Sequence, residues 1–274
     1  MRAKLHWQLV LFAGLCAFTV INLTPIIWAF MISIKQPVDA FAVPPMLIFT
    51  PTFEFHYQVW VEKEFWRFLI NSIVIALAVV CISVPIGTMA AYGLSRMRSI
   101  GSRGLLFGLL AMRMFPTILL AIPFFVLAQS LSLIDTYPAM VLALVAINQP
   151  FTIWLMRSFF VDVPYELDEA ATIDGCNLWQ VFYRVALPIV RPGLWVTSLF
   201  SLLLAYNEFL FALVLTGPNT KTLPVAIAEY GAEDLNYWSL SAAAAIGIML
   251  PIVLFMMALQ RHLVRGLAFG AVKG

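Results

Sequence analysis

Tyr165-Glu166-Leu167-Asp168-Glu169-Ala170-Ala171-Thr172-Ile173-Asp174-Gly175, followed by Phe182, Leu187-Pro188 and Arg191-Pro192-Gly193, is the long polar interruption in an otherwise apolar chain. Between Val161 and Tyr183 it holds Asp162, Glu166, Asp168, Glu169 and Asp174 and no Lys or Arg. That balance suits a basic groove on a protein and argues against a surface for anionic lipid. Its residues predict helix, turn, helix. Asp162 can cap a helix whose first turn holds Val163-Pro164, since a proline there gives up no hydrogen bond. Glu166, Asp168 and Glu169 complement the positive helix end, and Gly175 can stop the helix by taking a positive φ. Leu178, Val181, Phe182 and Val185 follow at i, i+3, i+4 and i+7, one apolar helix face, and Pro188 is expected to end it.

Working outward, the chain has 274 residues, 62% hydrophobic and 11% charged. Soluble domains carry about 25% charged residues, so the chain belongs in a membrane. A net charge of +2 gives no ground for nucleic-acid binding. Cys16, Cys81 and Cys176 are far apart and odd in number, which excludes a disulfide framework and metal spacing.

Apolar runs at about 9–34, 68–94, 105–128, 138–159, 193–215 and 240–259 are each long enough to cross a bilayer core of roughly 30 Å. The expected fold is therefore an all-α membrane protein with six transmembrane helices, and the polar element, about 161–192, lies between spans four and five. The first run lacks the short apolar region and cleavage site of a signal peptide and is expected to be retained. Residues 35–67 are rich in Pro, Trp and Tyr, arguing for an interfacial segment without a long helix. In the second run Ser83, Gly87, Ala91 and Ser95 form a small-residue stripe that admits a close neighbour. Residues 129–137 allow only a turn. Six spans put both ends on one face, which collects eleven Lys and Arg, with four on the other face and Arg113 inside a span. The positive-inside rule places both termini, and the acidic element, in the cytoplasm.

Ionisable groups inside spans are costly and are functional candidates. Arg113 and Glu208 are the two well inside. Ser198, Ser201, Ala205, Glu208 and Ala212 make a small, polar stripe flanked by Tyr206 and Asn207, while Asn148 and Gln149 precede a kinking Pro150. Arg113, Asn148, Gln149, Tyr206, Asn207 and Glu208 are thus candidates to line a solute path. Glu208 can equally serve a structural ion pair with Arg113 or a hydrogen bond, and Asn148 and Gln149 can satisfy carbonyls freed by Pro150. Arg113 unpaired in a cavity would point to an anionic sugar derivative. No G-x-x-x-x-G-K-[ST], H-E-x-x-H or G-x-S-x-G occurs, so no P-loop, zinc-protease or serine-hydrolase chemistry is expected.

Glu169-Ala170-Ala171, Asp174-Gly175, Phe182, Leu187-Pro188 and Pro192, in order over 24 residues, resemble the cytoplasmic EAA signature of ABC importer permeases. Tyr206-Asn207-Glu208-Phe209 and the tail Arg265-Gly266-Leu267 to Gly270-Ala271-Val272-Lys273-Gly274 resemble the carbohydrate (maltose-type) permeases. Cys176 departs from a usual small residue such as Ala, and Tyr206 from a frequent Trp. The resemblance covers nearly the whole chain and implies a single permease domain, 1–274, in the inner membrane, the smaller member of a heterodimer with a second permease. It implies that Glu166, Asp168, Glu169, Ala170, Ala171, Asp174, Gly175 and Pro188 form a coupling helix and its surroundings, docked on a separate dimer of ATP-binding subunits that hold ATP and Mg. A periplasmic solute-binding protein would deliver the sugar, with residues 216–238 reaching toward it, and the tail would contact the ATPase. The chain itself would be non-catalytic and hold no cofactor. A secondary transporter using Arg113 and Glu208 is the alternative, though the halves show no inverted repeat.

Overall fold

The computed structural model describes the backbone of residues 2–97, 100–231 and 237–271. Residues 98–99, 232–236 of the segment 216–238, and 272–274 of the tail lie outside the described residues. All regular structure described is helical. In order it comprises α1 (Arg2–Ser33), α2 (Pro37–Ala40), α3 (Glu54–Tyr57) running into a π-turn (Gln58–Glu62), α4 (Phe65–Arg96), α5 (Ile100–Met114), α6 (Thr117–Ser130) and α7 (Tyr137–Val161). Then come α8 (Glu166–Ile173), α9 (Leu178–Gln180), a π-helical stretch (Val181–Ala186), α10 (Leu187–Ile189), α11 (Arg191–Tyr206), α12 (Leu210–Leu215), α13 (Leu223–Gly231) and α14 (Tyr237–Ala271). Contacts divide the chain into two compact units, Met1–Arg67 with Ala226–Pro251, and Phe68–Val225 with Ile252–Gly274.

In the first unit the apolar part of α1, Trp7–Ser33, buries no side chain before Ser33 at its end. Its polar side chains turn back on the helix instead: Thr19 Oγ1, Asn22 Nδ2 and Thr24 Oγ1 each donate, at 2.8 Å, to the carbonyl four residues earlier. Such internal pairing is what a hydrocarbon environment demands. The proline-rich segment that follows forms only short helices, as its sequence requires. Lys35 is buried there; its Nζ donates to the Met46 carbonyl at 2.6 Å and lies 4.8 Å from the Phe49 ring centroid.

In the second unit the small-residue stripe of α4 meets α7. Gly87 is buried so closely that a Cβ there would stand 2.5 Å from Thr152 Cγ2. Ser83 Oγ lies 3.3 Å from Thr152 Oγ1. Two expected spans are broken. The run 105–128, expected as one span, is bent: Gly104–Met114 and Thr117–Ser130 meet at 92°, with Pro116 the N-cap of α6. The run 193–215 starts earlier, at Arg191, and is interrupted at Asn207–Phe209. There Glu208 Oε1 accepts from the amides of Leu210 at 3.0 Å and Phe211 at 3.2 Å, starting a new helix in place of the old ladder. Among the described residues 4 helices are long and apolar enough to cross a membrane, or up to 6 if each bent pair, the second being Leu178–Ile189 with Arg191–Tyr206, counts as one span. This is an all-α, multi-spanning membrane fold.

The turn between α6 and α7 is held by Asp135, whose own φ is +59°. Its Oδ1 accepts from the amides of Gly217 (2.8 Å) and Thr220 (2.9 Å) and from Thr220 Oγ1 (2.8 Å). Oδ2 accepts from the Asn219 amide and side chain at 3.1 and 2.8 Å. Asn71 completes the clamp: its Nδ2 donates to the carbonyls of Asn219 (3.1 Å) and Lys221 (2.9 Å), and its Oδ1 accepts from Tyr137 Oη at 2.6 Å. Desolvation raises the Asp135 pKa, yet hydrogen bonds from Thr220, Asn219 and Gly217 outweigh it and bring the carboxyl down from 3.8 to about 2.

A depressed carboxyl pKa stabilises the folded clamp fully above the unfolded value and ceases to do so as pH falls through the folded one. Amide hydrogen exchange at 217–220, corrected for intrinsic rates, is therefore expected to be equally protected at neutral pH and at about pH 5. Protection should be lost at both in Asp135→Ala; unchanged protection in that variant would show that the carboxylate does not hold the loop.

Candidate functional site

The acidic element is a helix, a turn and a second helical piece, built differently at its start from the sequence expectation. Asp162 does not cap α8; it is the C-cap of α7, because the apolar run through Phe160 and Val161 carries that helix further. Tyr165 precedes α8 and makes no side-chain cap. The end of α8 follows expectation: Gly175 has φ +86°, its amide donates to the Thr172 carbonyl at 3.0 Å, and the Cys176 amide donates to the Ala171 carbonyl at 2.9 Å, a Schellman stop. Asn177 then opens the next piece with a reciprocal cap, its side chain accepting from the Gln180 amide (3.0 Å) while Gln180 Oε1 accepts from the Asn177 amide (2.8 Å).

The π-helical stretch changes which side chains face inward. Val181, Phe182 and Ala186 are buried, whereas Leu178, expected on the same apolar face, is 78% exposed. Pro188 does not end the helix; α10 carries it to Ile189. Of the eight residues singled out here, Glu166, Glu169, Ala170, Asp174, Gly175 and Pro188 are exposed, and Asp168 and Ala171 are buried. Ile173, Leu178, Trp179 and Tyr183 stand exposed among the acids. Large apolar side chains grouped this way mark a protein contact surface.

Asp168 is turned inward by a residue that sequence reasoning counted only as a loop charge. Arg96, ending α4, donates from Nε to Asp168 Oδ2 at 2.7 Å and from Nη2 to Oδ1 at 3.4 Å. Its Nη1 donates to the carbonyls of Phe160 (3.3 Å) and Val163 (3.2 Å), groups left over at the end of α7. Tyr92 Oη donates to Asp168 Oδ2 at 2.9 Å. Around this polar knot Tyr92, Phe160 and Phe182 pack ring on ring at centroid distances of 5.2–6.4 Å. One guanidinium thus ties α4, α7 and α8 together.

The polar groups inside the apolar helices fall into two sets. Arg113, Asn148 and Glu208 line one cavity of about 200 Å³. Arg113 and Glu208 do not form the ion pair considered for them: the guanidinium lies 5.1 Å from the Phe151 ring centroid, and Glu208 holds the start of α12. Gln149 points elsewhere, donating to the Ser83 carbonyl at 3.2 Å, so it braces α4 and does not serve a carbonyl freed by Pro150. Tyr206 is buried, and Asn207, the C-cap of α11, donates back to the Leu203 carbonyl at 2.9 Å; neither lines that cavity.

The chain was compared with known proteins. The family model described as binding-protein-dependent transport system inner membrane component matches residues 83–269. The probable ABC transporter permease protein y4oR of Sinorhizobium fredii is 36% identical over 270 residues, 98% of this chain and 96% of that one. The trehalose transport system permease protein SugB of Mycobacterium tuberculosis is 36% identical over 255 residues, 92% of this chain and 93% of that one. Among solved structures, a chain of a bacterial ABC transporter involved in the import of the acidic polysaccharide alginate superposes with a TM-score of 0.73 at 23% identity, over 95% of this chain and 98% of that one, a likeness of fold.

Arg96→Met would leave the Asp168 charge without its counter-ion, held by Tyr92 Oη alone, and two carbonyls without their donor, at a cost of about 3–5 kcal/mol. Arg96→Met with Asp168→Leu removes both charges and is expected to regain most of that loss. Thermal midpoints in detergent test it: a double variant no more stable than the single would mean that the pair does not hold these helices.

Proposed function

The chain belongs to the family of binding-protein-dependent transport system inner membrane components, and on that premise we propose how it works as the permease subunit of an ATP-driven sugar importer. It catalyses nothing itself. A separate ATPase subunit binds ATP and Mg, and a periplasmic binding protein delivers the solute. Residues 1–274 act as one permease domain in the inner membrane, with six spans if the bent pairs each cross, and with both termini in the cytoplasm as the distribution of Lys and Arg favours. Beside it stands a second permease, to which the unburied face of α1 is suited. The solute is a sugar, in keeping with the trehalose system named for one relative and with the carbohydrate-type motifs at 206–209 and 265–274.

The observation that carries this reading is the division of labour within α8. Glu166, Glu169 and Asp174 face out beside Ile173 and Leu178, forming an acidic and apolar surface for a basic groove on the ATPase. Asp168 faces in and is bonded to Arg96. A shift of the docked surface is thereby passed to the ends of α4 and α7, and the bundle changes the side from which its path is open. Arg113, Asn148 and Glu208 are the residues of this chain placed to meet the solute.

Glu169→Lys puts a like charge against a basic groove without touching the Arg96 knot. In the reconstituted complex it is expected to reduce binding-protein-stimulated ATPase and uptake by roughly tenfold or more, while the chain remains in the membrane at normal abundance. Normal stimulation and uptake would remove α8 from the coupling path.

A further inference from the structure

Arg113 stands in the last turn of α5, just before the 92° bend into α6. Its guanidinium rests on the Phe151 ring and has no hydrogen-bond or ion-pair partner among the described residues. The other charge in the cavity is already answered, because Glu208 Oε1 accepts two backbone amides at 3.0 and 3.2 Å. Asn148 is 4% exposed and lines the cavity; its backbone carbonyl accepts from Thr152 Oγ1 at 3.2 Å, and its side-chain amide has no hydrogen-bond partner among the described residues. A buried amide left in this way has both donors and an acceptor to give to a ligand. The site thus carries a guanidinium held by no ion pair, an amide able to bond hydroxyls, and the rings of Phe115 and Phe124 for the apolar face of a sugar ring.

We infer that this cavity is a subsite for one unit of an anionic saccharide, such as a uronic acid. The guanidinium fork takes the carboxylate in two parallel hydrogen bonds, and Asn148 bonds a neighbouring hydroxyl. Glu208, through its second oxygen, accepts from a hydroxyl at the far wall. A volume of about 200 Å³ falls below the roughly 300–1,000 Å³ of pockets that enclose drug-sized ligands, so the cavity holds one ring of a longer chain. A guanidinium without a counter-ion in an apolar helix is costly, and an acidic solute relieves that cost in passing. The inference rests on the importer reading, and it adds the charge of the cargo and the residue that reads it.

The test uses the complete assembly in detergent, with both permeases and the ATPase. Thermal stability is titrated with digalacturonate, with maltose as a neutral sugar, and with sulfate at matched ionic strength as an anion without a sugar. Digalacturonate is expected to raise the midpoint at lower concentration than either control. Its apparent affinity should fall at least about tenfold in Arg113→Gln and recover in part in Arg113→Lys. Equal responses to digalacturonate and maltose, equal responses to digalacturonate and sulfate, or an unchanged affinity in Arg113→Gln would each overturn the proposal. So would failure of Arg113→Gln to assemble with the second permease, which would assign the guanidinium to an acid of that chain. Stimulation of the wild-type ATPase by the binding protein is measured in parallel. Its absence would overturn the importer reading itself, and its presence with a negative sugar result would overturn the subsite alone.

Discussion

The ion pair between Arg96 and Asp168, with 2.7 Å between Nε and Oδ2 and side chains only 14% and 9% exposed, is the constraint on which the acidic element depends. Two charges taken out of water do not stabilise a fold unless their remaining donors and acceptors are also met. Here they are. The remaining guanidinium nitrogen, Nη1, donates to two carbonyls at and just past the end of α7, and the carboxylate accepts a further hydrogen bond from Tyr92 Oη. The element is therefore fastened to the bundle from within, and its exposed acids stand on a scaffold whose own charges are already satisfied.

A second constraint comes from the solvent of the helices. In hydrocarbon each backbone amide and carbonyl needs a partner, so a helix can break only where a side chain or proline makes good the loss. The break at 207–209 is made good by Glu208, and the bend at 114–117 coincides with Pro116. Both breaks border the same small cavity, which also meets Asn148 on the apolar helix α7. Polar groups and irregular backbone have been collected in one place, as expected where a path for solute must cross an apolar layer.

Much of this was legible from local chemistry. Gly175 stopped α8 as a positive-φ residue should, the prolines of 35–67 prevented a long helix, and the stripe of Ser83, Gly87 and Ala91 packed against a neighbour. Each of those readings depends on residues within a turn or two of one another. What escaped were pairings across the chain and competition between neighbouring elements. Arg96 and Asp168 are 72 residues apart, and nothing in the spacing of either names the other. Asp162 had a proper capping sequence after it, but α7 claimed it first, because Phe160 had an aromatic core to enter. The π-helical stretch moved the inward face from Val185 to Ala186, which a period of 3.6 cannot foresee, while Leu178 stands exposed in α9, before that stretch. Taken as a whole 193–215 is apolar, so a window average could not see that the carboxylate of Glu208 would divide it.

Taken together, the pinned places define what can move. Near their first turns α4 and α7 are joined by Tyr137 Oη donating to Asn71, midway by Gly87 against Thr152, and at their ends by Arg96 on the Phe160 carbonyl. Three separate contacts along two helices leave little freedom for sliding or splaying, so the pair behaves as one lever, with α8 fastened at one end and the Asp135 clamp at the other. The broken helices α5–α6 and α11–α12 pack through apolar contacts, with Phe151 on Phe200, Phe124 on Phe211 and Gly193 against Phe159, and the cavity sits at their breaks. Packed cores respond to force by switching between discrete arrangements and not by bending smoothly. Under the importer reading, force applied at Glu169 tilts the lever as a body, and the bends at 114–117 and 207–209 are where the bundle yields. That places the mechanical compliance of this chain beside Arg113 and Glu208, the groups proposed to hold the solute, so that a change in their separation and the opening of the path are one movement.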